Sequence, residues 1–290
     1  MDWLDDLEML FREAVKSVCE SKSAVIFSSG VDSALVAYAA SEMSDVTAYN
    51  VSMEDAKDRE YARMVEKEAK FRIKYIELAP IDLEEAVADV VAKVPEVTPL
   101  NVGVGIPFYC ASKAAAKDGF TSILCGQGGD ELFGGYWRYL ECMVKVGPDA
   151  VAAWMEKDWL NAYKDNLYRD IVMCKSNGVE LRFPYLHKGF SDYSRKMPLD
   201  LKIREGAQDI VCDDINGRKF ARKYTLKRLA IRMGVPEYLV NRVKKAAQYG
   251  SGTQKALDKI ARAKGYKQKA DAAGRKDYTQ MFLEDLKNRM

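Results

Sequence analysis

A chain of 290 residues that is 48% hydrophobic and 30% charged has enough apolar surface to build a core, which excludes a disordered polymer. Its 45 basic and 43 acidic residues leave a net charge of +2, too small to pull the whole chain toward nucleic acid or an anionic membrane. No run of about 18 apolar residues is present, so no spanning helix is expected. The acidic start Asp2-Trp3-Leu4-Asp5-Asp6 lacks the basic-then-apolar pattern of a secretory leader, and a cytoplasmic protein is expected. The cysteines Cys19, Cys110, Cys125, Cys142, Cys174 and Cys212 form no CxxC pair, so buried thiols are expected rather than a zinc site or disulfide framework. A single histidine, His187, leaves little scope for a histidine triad or a multi-histidine metal site.

Apolar residues at Leu4, Leu7, Phe11, Val15 and Val18 predict an amphipathic helix over 3–18. The run Ala24-Val25-Ile26-Phe27 reads as a buried parallel strand, followed by a tight loop and a helix from about Asp32 to Ala40. Strands over 45–51 and 72–78 and helices over 58–70 and 82–93 continue the alternation. Pro95 and Pro99 break it, and a helix over 106–117 precedes a strand over 122–125. Such alternation predicts an α/β fold, a Rossmann-like doubly wound parallel sheet. Beyond Tyr136 strand candidates largely vanish and the texture is helical. The expected organisation is one unit over 1–290, with an α/β lobe over 20–136 and a helical lobe over 137–290 that packs at the carboxyl edge of the sheet. The last 35 residues, rich in Lys and Arg, read as a solvated, partly mobile tail, with an RNA-contacting patch as the alternative.

Two segments carry chemistry. Ser28-Ser29-Gly30-Val31-Asp32-Ser33 lies between a buried strand and a helix start, where open parallel sheets bind ligands. A helix N-terminus, three hydroxyls and a glycine suit a polyphosphate. Asp32 would repel bare phosphate but fits if Mg²⁺ lies between them. An ordinary helix capped by Ser29 or Asp32 is the plainer alternative. The second segment, Gly126-Gln127-Gly128-Gly129-Asp130-Glu131-Leu132-Phe133-Gly134-Gly135-Tyr136, is too rich in glycine for a strand or helix interior. It brings Asp130 and Glu131 to the same sheet edge as Asp32, an arrangement suited to shared binding of Mg²⁺ and pyrophosphate.

The first segment resembles the SGGxDS loop of the N-type ATP pyrophosphatases (PP-loop enzymes), with Ser29 in place of a second glycine. There its side chain either crowds the phosphate or donates to it. The second resembles the GxGxDExFGGY signature of asparagine synthetases and their β-lactam-forming relatives. Asn166-Leu167-Tyr168-Arg169-Asp170, the segment from Gly178 to Leu186, and Arg242-Val243-Lys244-Lys245 with Gln248-Tyr249-Gly250 resemble further family segments in the same order. The resemblance implies a fold of the adenine nucleotide alpha hydrolase type. It also implies a ligase with ATP and Mg²⁺ as cofactors, which adenylates a carboxylate, releases pyrophosphate and lets a nitrogen nucleophile displace AMP. It places Ser28, Ser29, Gly30, Asp32, Ser33 and Gly126 around the polyphosphate, Val51 and Met53 near the adenine, and Asp32 and Asp130 on the metal. It also places Lys244 at the α-phosphate, with Lys245 as its rival.

Three departures matter. Nothing in the sequence precedes the synthetase-like region, so either free ammonia or a separate glutaminase partner is expected to supply nitrogen to a small carboxylic acid such as aspartate. Gln127 stands where asparagine synthetases carry a glutamate that acts as base, and an amide cannot take up a proton near neutral pH. On the sequence alone, Gln127→Glu is expected to raise ammonia-dependent amide formation. His187 replaces an aspartate and reads either as a proton carrier or as a structural loop residue. The other function classes are tRNA modification, an amide ligase acting on a different acid, and a non-enzymatic nucleotide-binding protein.

Overall fold

The computed structural model describes residues 3–243 and 247–290. Five strands form the central sheet: β1 (Lys22–Ile26), β2 (Asp45–Ser52), β3 (Arg72–Glu77), β4 (Ser122–Leu124) and β5 (Glu180–Arg182). Their order is β3-β2-β1-β4-β5, and every neighbouring pair is parallel. β1 lies at the centre, paired with β2 from Lys22↔Asp45 to Ile26↔Tyr49 and with β4 through Ala24↔Ile123 and Val25↔Leu124. Buried on both faces, it needs the continuous apolar run seen in the sequence.

The strand period of two divides the core. Val25, Val46 and Leu124 join one apolar cluster with Leu7 and Phe11 of α1 (Trp3–Lys16), Leu35 of α2 (Val31–Ser41) and Val65 of α3 (Lys57–Val65). Ala24, Tyr49 and Ile123 join the other, with Val90 of α4 (Pro80–Lys93) and Ile106 of α5 (Pro99–Lys117). The chain winds outward from β1 to β3 and then crosses back to β4. The loops after β1 and β4 therefore diverge at a topological switch point, where a crevice must open.

Three expectations needed correction. Pro99 does not break α5 but starts it: Thr98 caps the helix by accepting from the Asn101 N–H at 3.1 Å, and proline loses nothing at a first helical position. Beyond the short α6 (Gly129–Phe133) and Tyr136, between the helices α7 (Trp137–Lys145) to α11 (Leu199–Lys202) and α12 (Tyr224–Arg232), the chain contributes β5 to the main sheet. It also forms an antiparallel sheet, β6 (Ile203–Glu205), β8 (Arg218–Arg222) and β7 (Asp213–Ile215). These strands are three to five residues long, too short to display alternation. Finally, the basic C-terminal segment is not a solvated tail. After α13 (Glu237–Val240) and α14 (Ala247–Gly250), it forms α15 (Thr253–Ala263), α16 (Tyr266–Ala272) and α17 (Tyr278–Asn288). Leu257, Ala261, Phe282 and Leu283 are buried in the same cluster as α4 and α5, and the charges lie on the opposite faces.

Candidate active site

The loop after β1 is held by its own hydroxyls. The Gly30 N–H donates to Ser28 Oγ at 3.4 Å, Ser28 Oγ lies 3.1 Å from Ser33 Oγ, and Ser33 Oγ donates to the Gly30 carbonyl at 3.1 Å. Gly30 is the N-cap of α2 and no side chain caps the helix, so neither Ser29 nor Asp32 has the capping role. Ser29 has a left-handed φ of 52°, a backbone state that glycine adopts more readily. Its side chain is fully buried and turned away from the cavity. Oγ donates toward the carbonyls of Ser28 and Asp58, each at 2.7 Å, and accepts from Arg242 Nη1 at 2.9 Å. These contacts take up its hydroxyl. Arg242 also donates to the Ser28 carbonyl at 3.0 Å, pairs with the buried Asp58 carboxylate and lies over the Tyr61 ring at 4.9 Å. A late segment of the chain thus fastens the loop after the first strand.

The glycines of the second loop mark close approaches, some to the first loop and some within the second. A Cβ on Gly126 would lie 2.8 Å from the Ser33 nitrogen, and one on Gly135 would lie 1.7 Å from Asp130 Oδ1. Between them α6 carries Asp130 and Glu131 in its first turn. Asp32 and Asp130, from different loops, converge on one ammonium. Lys223 Nζ lies 2.6 and 2.5 Å from the two Asp32 oxygens and 2.8 Å from Asp130 Oδ1. Lys223 follows β8 with a left-handed φ of 55°, donates its N–H to the Phe133 carbonyl at 3.1 Å, and is 2% exposed. Burial works against its charge, but Asp130 and Asp32 outweigh it and hold the pKa above the usual lysine value. Sequence reasoning missed Lys223, because nothing in its spacing separates it from the other basic residues.

This arrangement tests the fit of a metal. Two carboxylates that already share one cation fit Mg²⁺, which is commonly held by one or two carboxylates together with substrate phosphates. Among the described residues no group of three or more His, Cys, Asp or Glu side chains forms a complete protein cage.

A cavity of about 690 Å³ opens over these loops. Ser28, Gly30, Asp32, Ser33, Val51, Gly126, Gln127 and Asp130 all line it. Met53 does not: its side chain lies near Gly252, away from the lining. Lys244 and Lys245 lie outside the described residues. His187 is not among the lining residues and begins α10 (Lys188–Lys196), where its carbonyl accepts the Ser191 N–H.

At one side of the cavity Gln127 Nε2 donates to Asp170 Oδ2 at 2.5 Å, and Arg169 Nε donates to Asp170 Oδ1 at 2.8 Å. Burial pushes the Asp170 carboxyl up, while Arg169 and then Gln127 oppose it. With Arg169 donating to the other oxygen, the group of Gln127 that faces Asp170 is the N–H. The amide oxygen is left toward the cavity. Glu131 Oε1 accepts from Tyr136 Oη at 2.6 Å and Asn166 Nδ2 at 3.2 Å, and burial followed by Asp130 raises its pKa.

The Gln127–Asp170 contact reverses one expectation. In Gln127→Glu two carboxylates would meet in a buried place and retain a proton between them, so the single substitution does not install a base. We expect its ammonia-dependent rate to stay at or below that of the parent. In Gln127→Glu/Asp170→Asn the new amide can donate to Glu and accept from Arg169. That double variant should exceed the single one by about tenfold or more, the low side of general-base help. Equal rates in an amide-formation assay would contradict the pairing. Removing Lys223 leaves Asp32 and Asp130 without their shared cation. Lys223→Met should cost about 3 kcal/mol in urea unfolding, partly restored by Mg²⁺, and an unchanged midpoint would contradict the bridge.

The asparagine synthase family profile matches residues 6–147 and 143–286. An asparagine synthetase (glutamine-hydrolyzing) of Methanocaldococcus jannaschii is 35% identical over 266 residues, which cover 86% of this chain and 49% of that protein. The asparagine synthetase (glutamine-hydrolyzing) of Mus musculus is 24% identical over 209 residues, 69% of this chain and 37% of its own. This chain thus spans about half the length of the archaeal relative and less of the mouse protein. Among solved structures, an NMN synthetase from Francisella tularensis covers 99% of this chain and 92% of its own at 12% identity, with a TM-score of 0.45, a remote likeness. By the extent of the profile match and the identity to the archaeal protein, the chain belongs to the asparagine synthase family.

Proposed function

We propose that this chain uses ATP and Mg²⁺ to adenylate a small carboxylic acid and passes the acyl group to a nitrogen nucleophile, with aspartate and free ammonia as the pair suggested by the family. The observation that carries this reading is the meeting of Asp32 and Asp130 at one cation, beside a loop of serine hydroxyls at a helix N-terminus. An oxygen of the acid attacks the α-phosphorus, the bond to the β-phosphate breaks, and pyrophosphate departs toward Ser28, Gly30 and Ser33. The nitrogen then attacks the acyl carbon, AMP leaves, and one proton is lost. A bound Mg²⁺, held by Asp32 and Asp130, would supply charge neutralisation to the phosphate oxygens.

Gln127 offers a fixed acceptor to an N–H, which suits a nucleophile that is positioned rather than deprotonated. Val51 and Gly126 belong with the nucleotide, and Lys244 is assigned the α-phosphate. The nitrogen is ammonia, free or released from glutamine, and the protein works in the cytoplasm. Among the described residues no helix is long and apolar enough to cross a membrane. Sulfur transfer to tRNA is the less favoured reading. Burial raises the pKa of Cys19, Cys110, Cys125, Cys174 and Cys212, which suppresses the thiolate such chemistry uses.

Incubation with ATP, Mg²⁺ and a panel of acids and acceptors should release pyrophosphate and AMP in equal amounts. Asp32→Asn or Asp130→Asn should lower that release by about a hundredfold or more. Release of ADP and phosphate would contradict the reading, as would full activity in both variants. A response to tRNA alone would move the assignment to modification, and a response to acids other than aspartate would name a different amide ligase.

A further inference from the structure

The charged side chains that line the cavity are mostly spoken for. Lys223 bridges Asp32 and Asp130, Arg242 pairs with Asp58, and Arg138 pairs with Asp158. Arg169 pairs with Asp170, and Arg222 grips Asp213 through two nitrogens at 2.8 and 3.1 Å. Among the described lining residues one cation is left, Lys227, whose side-chain ammonium makes no hydrogen bond or ion pair with a described residue. It is partly buried on the first turns of α12, and its N–H donates to the Lys223 carbonyl at 2.8 Å. Lys223 is thus the N-cap of α12, and Lys227 lies one turn into the helix.

Its surroundings do not explain it. Burial pulls its pKa down to about 8, Asp213 pushes back, and Arg222 and Lys223 pull further down. Yet Asp213 is already held by Arg222, so Lys227 lacks a counter-ion of its own. A partly desolvated ammonium without a partner is costly, and an anion that fills the space beside it relieves the cost. The position along the cavity identifies the anion. Lys227 adjoins Lys223, and Lys223 adjoins both aspartates beside the serine loop.

We propose that Lys227 receives the β- and γ-phosphate oxygens of ATP and holds the departing pyrophosphate. The assignment rests on the adenylating reading above. It divides labour between two lysines: Lys223 keeps the aspartate pair together, and Lys227 faces the leaving group.

Calorimetric titration of the full chain with Mg²⁺–pyrophosphate, Mg²⁺–ATP and AMP tests this in the parent, Lys227→Met and Lys227→Arg. The methionine variant should lose about ten- to a hundredfold in affinity for pyrophosphate and ATP, the range for a charge-assisted hydrogen bond, and keep its affinity for AMP. The arginine variant should recover most of the loss. A merely structural lysine would instead shift the melting temperature and all three affinities together, which would overturn the assignment. Unchanged pyrophosphate and ATP affinities in Lys227→Met would overturn it too, including the case in which the KM for the acid rises instead. Failure of the parent chain to bind either ligand would be recognisable apart from these results, and would defeat the adenylating reading together with the assignment built on it.

Discussion

The site is organised around a buried ammonium shared by two carboxylates. Asp32 and Asp130 belong to loops that follow different strands, and at such short range the two would repel each other if left alone. Lys223 enters from the end of β8 and satisfies both. That contact ties three distant parts of the chain to a single point. It also fixes the pair in a geometry that already accommodates positive charge, so a divalent cation and a polyphosphate would meet a preorganised site.

The fold creates the conditions for this contact. The sheet order places the ends of β1 and β4 side by side with their loops diverging, and the glycines let those loops approach until Gly126 touches the first turn of α2. Arg242 then locks the first loop from the far end of the sequence, through Ser29 and Asp58. The opposite side of the cavity follows the same logic with different groups. Asp170 is held by Arg169, and it in turn fixes which end of the Gln127 amide is offered to a ligand.

Much of this was legible in the sequence, and the failures have physical causes. Apolar runs bounded by glycine-rich loops announced the parallel sheet, because a strand buried on both faces must be apolar throughout. Asp32 and Asp130 were legible because glycine clusters mark close approaches. Lys223 was not, since its role depends on where β8 ends in space and no local pattern encodes that. The substitution at Ser29 was legible as an anomaly, but its resolution needed Arg242 and Asp58, both remote. The strands β7 and β8 did leave a signal: Asn216-Gly217, with φ of 54° and 80°, is the two-residue turn that favours a hairpin. It was obscured by the charged residues on either side. The basic C-terminal segment misled for the opposite reason. Its lysines and arginines dominate the composition, while the few apolar residues that decide its packing recur at helical spacing.

The central claim concerns where a cation and a diphosphate sit, so a crystal structure grown with AMP, inorganic pyrophosphate and Mg²⁺ tests it most directly. The account predicts a metal ion bound by both Asp32 and Asp130, at oxygen distances of about 2.1 Å, with the pyrophosphate resting on the loop from Ser28 to Ser33. A pyrophosphate bound elsewhere in the cavity, or a metal ion that touches neither aspartate, would contradict it.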